Sequence, residues 1–122
     1  MADLIKIAVD AMGGDNSPKK VIDGIIHNHK KNKGNFFKIF GDKNKIISLL
    51  KNEIEAQYYE IIHTENFVLS TDSPLEAAKK GKDTSMWLAI ESVKKKDCDI
   101  VISAGNTGAL LVISKLNLKM ID

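Results

Sequence analysis

The stretch best suited to chemistry is Ser103-Ala104-Gly105-Asn106-Thr107-Gly108-Ala109-Leu110. An apolar run, Asp99-Ile100-Val101-Ile102, precedes it and predicts a buried strand. Ala109-Leu110-Leu111-Val112-Ile113 predicts a buried helix that starts near Thr107. A strand, a glycine turn and a helix N-terminus make an anion-binding corner. Glycine lets backbone come close to a ligand, and the first N–H groups of a helix have no partner inside it. Asn106 and Thr107 add side-chain donors and acceptors. A second candidate is Asp10-Ala11-Met12-Gly13-Gly14-Asp15-Asn16-Ser17, where two acids flank a glycine pair. It suits a phosphate or another polar ligand. The alternative is a tight turn into the next helix, which leaves the desolvation of the two acids without a reason.

Several chemistries are excluded by spacing. Neither turn reads G-x-G-x-x-G, and Gly13 to Lys20 fails the nucleotide-binding pattern G-x-x-x-x-G-K-[ST] because Pro18 stands where its second glycine belongs. Gly81-Lys82-Asp83-Thr84 lacks the earlier glycine of that pattern. No G-x-S-x-G elbow is present, which argues against a serine hydrolase. His27 and His29 are two apart and face different sides of a helix, and His63 reads as a loop or capping residue, so no metal site is expected. Neither the residues nor their spacing implies a cofactor. Cys98 is the single cysteine; it rules out an internal disulfide, reads as a small core residue and suits a reducing, cytoplasmic compartment. A net charge of +2 is too small to imply nucleic acid. No apolar run approaches the ~18 residues of a membrane span, and the N-terminus lacks a signal-peptide layout.

The elements that must position the two turns follow from periodicity. Residues 5–10, 36–40, 58–63 and 99–102 predict strands. Ser17 as N-cap and Pro18 at the first helical position open a helix with Val21, Ile22, Ile25 and Ile26 on one face. It ends in a solvated charge run, His29-Lys30-Lys31-Asn32-Lys33. A short helix over 45–50 buries Ile46, Ile47, Leu49 and Leu50. Ser73-Pro74 starts another that Gly81 stops, and Thr84-Ser85 starts one with Met86, Ala89, Ile90 and Val93 inward. Met86 and Trp87 read as packing residues. Strands separated by helices predict a parallel sheet with helices on both faces, in one domain without internal boundary. Ligands of such sheets gather beyond the C-terminal ends of the strands, which is where both glycine turns fall.

Four motifs stand in order: Val9-Asp10-Ala11-Met12-Gly13-Gly14-Asp15 with Pro18, then Asp72-Ser73-Pro74, then Lys82-Asp83-Thr84-Ser85-Met86, then residues 103–110. Together they resemble the N-terminal part of the bacterial phosphate acyltransferases of phospholipid synthesis, the PlsX family, across essentially the whole chain. The resemblance implies a Rossmann-like three-layer α/β/α sandwich of the isocitrate and isopropylmalate dehydrogenase type. It also implies transfer of a fatty acyl group from acyl carrier protein to inorganic phosphate, giving acyl phosphate, in a homodimer that associates peripherally with the membrane.

On that resemblance, Asn106, Thr107 and the backbone from Gly105 to Gly108, with Ser103, Gly13, Gly14 and Asp15, are the expected substrate-binding groups. Asn106, Lys82 and Asp10 are the expected catalytic ones. Phosphate is already a nucleophile near neutral pH, so the task is to hold it against the thioester and stabilise the oxyanion. Lys82 either balances phosphate charge or is an exposed loop lysine. Asp10 and Asp15 would repel phosphate directly; they either position backbone and lysines or pass a proton to the leaving thiol. Members of the family are much longer than this chain. The expectation is therefore a truncated product or one part of a split protein, with an uncovered sheet edge. Two other readings stay open: a non-catalytic phosphate-binding remnant, and a phosphotransacetylase-type enzyme that uses acyl-CoA. The basic groups Lys19-Lys20, Lys30-Lys31-Lys33 and 94–96 either meet an acidic carrier protein or are solvated surface.

Overall fold

The computed structural model describes residues 3–69 and 71–103. Four strands, β1 (Ile5–Asp10), β2 (Asn35–Gly41), β3 (Tyr59–His63) and β4 (Ile100–Ser103), form a parallel sheet in the order β3-β2-β1-β4. Helices α1 (Lys19–Lys31), α2 (Lys43–Leu50), α3 (Pro74–Lys79) and α4 (Ser85–Lys94) connect them, with a 3-10 turn at Ala56–Tyr58 before β3. The expected helix after residue 106 lies outside the described residues.

Alternation along β1 sorts the layers. Ile7 and Val9 pair in register with Phe37 and Ile39 of β2 and pack under Ile22 and Ile25 of α1 and Ile46 and Leu50 of α2. Ala8 points the other way, to a cluster with Phe40, Ala89 of α4 and Cys98. Val101 of β4 joins that layer and also packs on the cluster of Val68, Ala77, Met86, Trp87 and Ile90. The result is the expected Rossmann-like α/β sandwich: α1 and α2 on one face, α4 on the other. The chain runs outward from β1 through β2 to β3, then crosses to the far side of β1 to lay down β4. The strand order therefore reverses between β1 and β4.

Caps set several helix starts. Asp42 accepts from the N–H groups of Asn44 at 3.1 Å and Lys45 at 3.3 Å, and His63 Nδ1 accepts from Lys43 N–H at 3.0 Å. Three first-turn donors of α2 are thus satisfied, and His63 caps a helix from the end of a neighbouring strand. Replacing Asp42 by Ala should cost about 1 kcal/mol, read as a lower urea midpoint at unchanged slope. Ser73 and Thr84 cap α3 and α4 by accepting from Glu76 N–H at 3.1 Å and Trp87 N–H at 3.2 Å.

The structure corrects four expectations. Ser17 does not cap α1. Pro18 occupies the cap position in helical conformation, and the carbonyls of Asn16 and Pro18 take the N–H groups of Lys20 and Ile22. The Ser17 hydroxyl is buried without a hydrogen-bond partner. His29 is not part of a solvated helix end: it is buried, with its ring 4.7 Å from that of Tyr58, and burial pushes its pKa down. In α2, Ile47 is exposed because it lies about 100° around the helix from Ile46, beyond the edge of the stripe that Ile46 and Leu50 bury. The fourth concerns β4, expected to be buried. Val101 faces the α4 layer, but Ile100 and Ile102 are 48% and 47% exposed on the α1 side. β4 is the end strand of the described sheet. Ile102 borders a groove of about 590 Å³ with Val9, Val21, Ile25, Asp15 and Lys20. Among the described residues no helix is long and apolar enough to cross a membrane.

Candidate functional site

Asp10 ends β1 and its register partner Ser103 ends β4, so both stand where the strand order reverses. In open α/β sheets the crevice beyond that point is the preferred ligand position. The Asp10 side chain is on the α4 side of the sheet and only 1% exposed. Its Oδ1 accepts from Ser85 Oγ at 2.6 Å and from Met12 N–H at 3.2 Å; its Oδ2 accepts from Ser103 Oγ at 2.8 Å. Burial pushes the Asp10 pKa above its ordinary value, and the bonds from Ser85, Ser103 and Met12 only partly offset this. No cation is among these partners. One carboxylate therefore ties together the loop after β1, the first turn of α4 and the end of β4.

The loop after β1 is shaped by a close backbone approach. Gly13 has φ +89°, and a Cβ there would lie 1.8 Å from the Val68 carbonyl oxygen. Val68 is buried under Met86, Trp87 and Ile90. The segment that carries it is stapled in turn. Leu69 N–H donates to Asp72 Oδ2 at 2.9 Å, Lys80 Nζ pairs with the same oxygen at 2.5 Å, and Lys80 holds the Asp72 carboxyl below its usual range. Thr64 Oγ1 donates to the Asp83 carbonyl at 2.7 Å, and Asn66 Nδ2 to Asp83 Oδ2 at 2.6 Å. The motifs around Asp72 and Asp83 thus build the wall against which the glycine loop rests.

The candidate residues separate as follows. Asp10 and Ser103 are brought into direct contact, and Gly13 is fixed beside them. Gly14 follows, its carbonyl accepting from Ser17 N–H at 3.1 Å. Asp15, which the sequence pairs with Asp10 across the glycines, is exposed and borders the groove beside α1, on the opposite face of the sheet from Asp10. Lys82 is exposed, with its ammonium 6.0 Å from the centroid of the Trp87 ring. Gly105, Asn106, Thr107 and Gly108 lie outside the described residues. Among the described residues no group of three His, Cys, Asp or Glu side chains could hold a metal ion. The residue that sequence reasoning missed is Ser85. Its signal was the hydroxyl doublet Thr84-Ser85: one hydroxyl caps the helix, which leaves the other to face the sheet.

A sequence profile described as "Fatty acid synthesis protein" matches residues 5–122. The chain belongs to that family. The resemblance of its four motifs to the PlsX phosphate acyltransferases is thereby borne out. A Pelagibacter ubique (strain HTCC1062) protein named "Phosphate acyltransferase" is 68% identical to it over 122 residues, all of this chain and 36% of that protein. A Streptococcus pyogenes (serotype M5) protein of the same name is 42% identical over 108 residues, 88% of this chain and 31% of that one. The family member described here thus spans about a third of the length of these relatives.

Proposed function

We propose that this chain carries the phosphate site of an acyltransferase that moves a fatty acyl group from acyl carrier protein to inorganic phosphate. The observation that carries the reading is the Asp10 junction: a buried carboxylate, at the point where strand order reverses, bonds to the loop after β1, to the start of α4 and to Ser103 at the end of β4. Family membership and the relatives' printed name support it. In the reaction a phosphate oxygen attacks the thioester carbonyl, the carbon–sulfur bond breaks, and the proton that hydrogen phosphate loses goes to the leaving sulfur. The products are acyl phosphate and the free carrier thiol. No strong base is required. The protein's part is to hold phosphate and to stabilise the oxyanion with N–H groups.

In this reading Asn106, Thr107 and the backbone of Gly105 and Gly108 donate to phosphate or to the oxyanion. Lys82 supplies a positive charge that its exposed side chain can bring to the rim. Asp10 does not meet phosphate, because both oxygens are occupied and the group is buried. It holds the loop after β1 and the end of β4 in place, and Asp15, on the far face, has no part in the chemistry. Homodimerisation and peripheral membrane association belong to the same reading of the longer relatives. The test is donor choice: purified protein with long-chain acyl carrier protein or acyl-CoA, plus phosphate, followed by release of free thiol. Phosphate-dependent release from the carrier-protein donor, lost at least tenfold in Asn106→Ala, is expected. Release from acyl-CoA alone would replace the reading with a phosphotransacetylase-type activity. An Asn106→Ala protein at full rate would remove that residue's role.

A further inference from the structure

Ser85 is fully buried at the first position of α4, a place where the helix needs nothing from it: Thr84 already caps the helix by accepting from Trp87 N–H. Its hydroxyl instead makes the shortest of the three bonds to Asp10, 2.6 Å, across 75 residues of sequence. Its N–H donates to the Asn66 carbonyl at 2.9 Å, so the same residue also ties the start of α4 to the wall that carries Val68. The opposite oxygen of Asp10 holds Ser103, the last residue before the glycine turn. The start of α4, the loop after β1 and the end of β4 thus meet at one carboxylate, with Ser85 as the contribution of α4.

We infer that Ser85 is a positioning residue of the phosphate site, acting through the Asp10 carboxylate to hold the 11–18 loop and the end of β4 at the spacing phosphate needs. This rests on the reading that the site binds phosphate. A hydroxyl bonded to a charged acceptor contributes more than a neutral pair, and its loss leaves a buried carboxylate short of one donor. The carboxylate then turns toward its remaining partners, Met12 N–H and Ser103 Oγ, and shifts the loop after β1 and the end of β4. Because Ser85 acts through the Asp10 carboxylate, its effect must shrink sharply when residue 10 no longer carries the charge.

The experiment is a double-variant cycle on the 122-residue chain, titrated with inorganic phosphate and followed by the amide signals of the 11–18 loop. The variants are Ser85→Ala, Ser85→Thr, Asp10→Asn and Asp10→Asn with Ser85→Ala. Melting curves give the folded fraction of each. Ser85→Ala is expected to weaken phosphate binding at least tenfold in folded protein, and Ser85→Thr, which keeps the hydroxyl, to restore most of it. In the Asp10→Asn background, which also folds without a buried charge short of a donor, Ser85→Ala should change affinity less than twofold. Undiminished binding by folded Ser85→Ala would overturn the inference and leave the phosphate site standing. An equal loss in both backgrounds would overturn action through Asp10. A parent chain that folds but binds no phosphate would overturn the phosphate reading, and the positioning role with it.

Discussion

Asp10→Asn is expected to melt higher than the parent chain at neutral pH and yet to bind phosphate about 100-fold more weakly, the scale on which a misplacement of about 1 Å is felt. The stability half follows from burial. Three donors favour the ionised carboxylate, but its removal from water outweighs them, so the folded pKa lies above the ordinary value of 3.8. A carboxyl raised in this way contributes its full stability below the unfolded pKa and loses it as pH rises through the folded one. Asparagine keeps an acceptor oxygen for part of the set, can donate to a serine hydroxyl, and carries no charge. The melting gap between variant and parent should therefore be smallest at pH 4 and widen toward pH 7.5. The affinity half follows from geometry. An amide cannot accept from Ser85, Ser103 and Met12 with both of its heavy atoms, so one hydroxyl must turn and the loop after β1 shifts against the end of β4. A buried charge that costs stability and is needed for binding is what functional sites show. Melting curves at pH 4 and 7.5, with phosphate calorimetry, check both halves. An Asn variant that is less stable at pH 7.5 than the parent would contradict the first.

The second large effect is expected at Gly13→Ala. The new Cβ would sit 1.8 Å from the Val68 carbonyl oxygen and 3.0 Å from its carbon, at a φ of +89° that side chains rarely adopt. Neither neighbour can withdraw cheaply. The atoms are backbone, and Val68 is held at 1% exposure beneath Met86, Trp87 and Ile90. Strain and displacement together should cost about 3 kcal/mol or more. Gly41→Ala is the matched control. There the closest atom is Met12 Cγ at 2.8 Å, on a flexible side chain, with Met12 Sδ and Ile46 Cδ1 at 3.0 and 3.1 Å. Its loss should be clearly smaller in urea unfolding. Equal losses at the two glycines would mean that the Gly13–Val68 approach does not hold the loop.

Much of this fold was legible because its elements carry strong local signals. β1 and β2 are short apolar runs closed by an acid or a glycine. α4 repeats Met86, Ala89 and Ile90 at helical spacing, and all three are buried with Trp87 as expected. His63 reads as a cap because it ends a strand beside a polar turn, and it caps α2. What failed depends on tertiary placement. Ile100 and Ile102 have the composition of a central strand, and only the sheet order puts them at the end of the described sheet. His29 belongs by charge to a basic run, yet helical spacing from Ile22 and Ile25 turns it inward toward Tyr58. Ser17 obeys the capping rule locally, but the turn from Gly14 delivers Pro18 to that position. At the site, the two acids around Gly13-Gly14 look equivalent in sequence. Alternation along β1 sends Asp10 toward α4, while the loop leaves Asp15 exposed on the other face. Ser85 was hidden because its partner is 75 residues away.

The most direct test of the central claim is transfer of isotopically labelled inorganic phosphate into acyl phosphate by the purified 122-residue chain, with long-chain acyl carrier protein as donor and folding verified in the same preparation. Label in acyl phosphate, dependent on the donor and reduced about 100-fold in Asp10→Asn at limiting phosphate, is the expected result. Folded protein that neither transfers nor binds phosphate would contradict the claim that the Asp10 junction anchors a phosphate site.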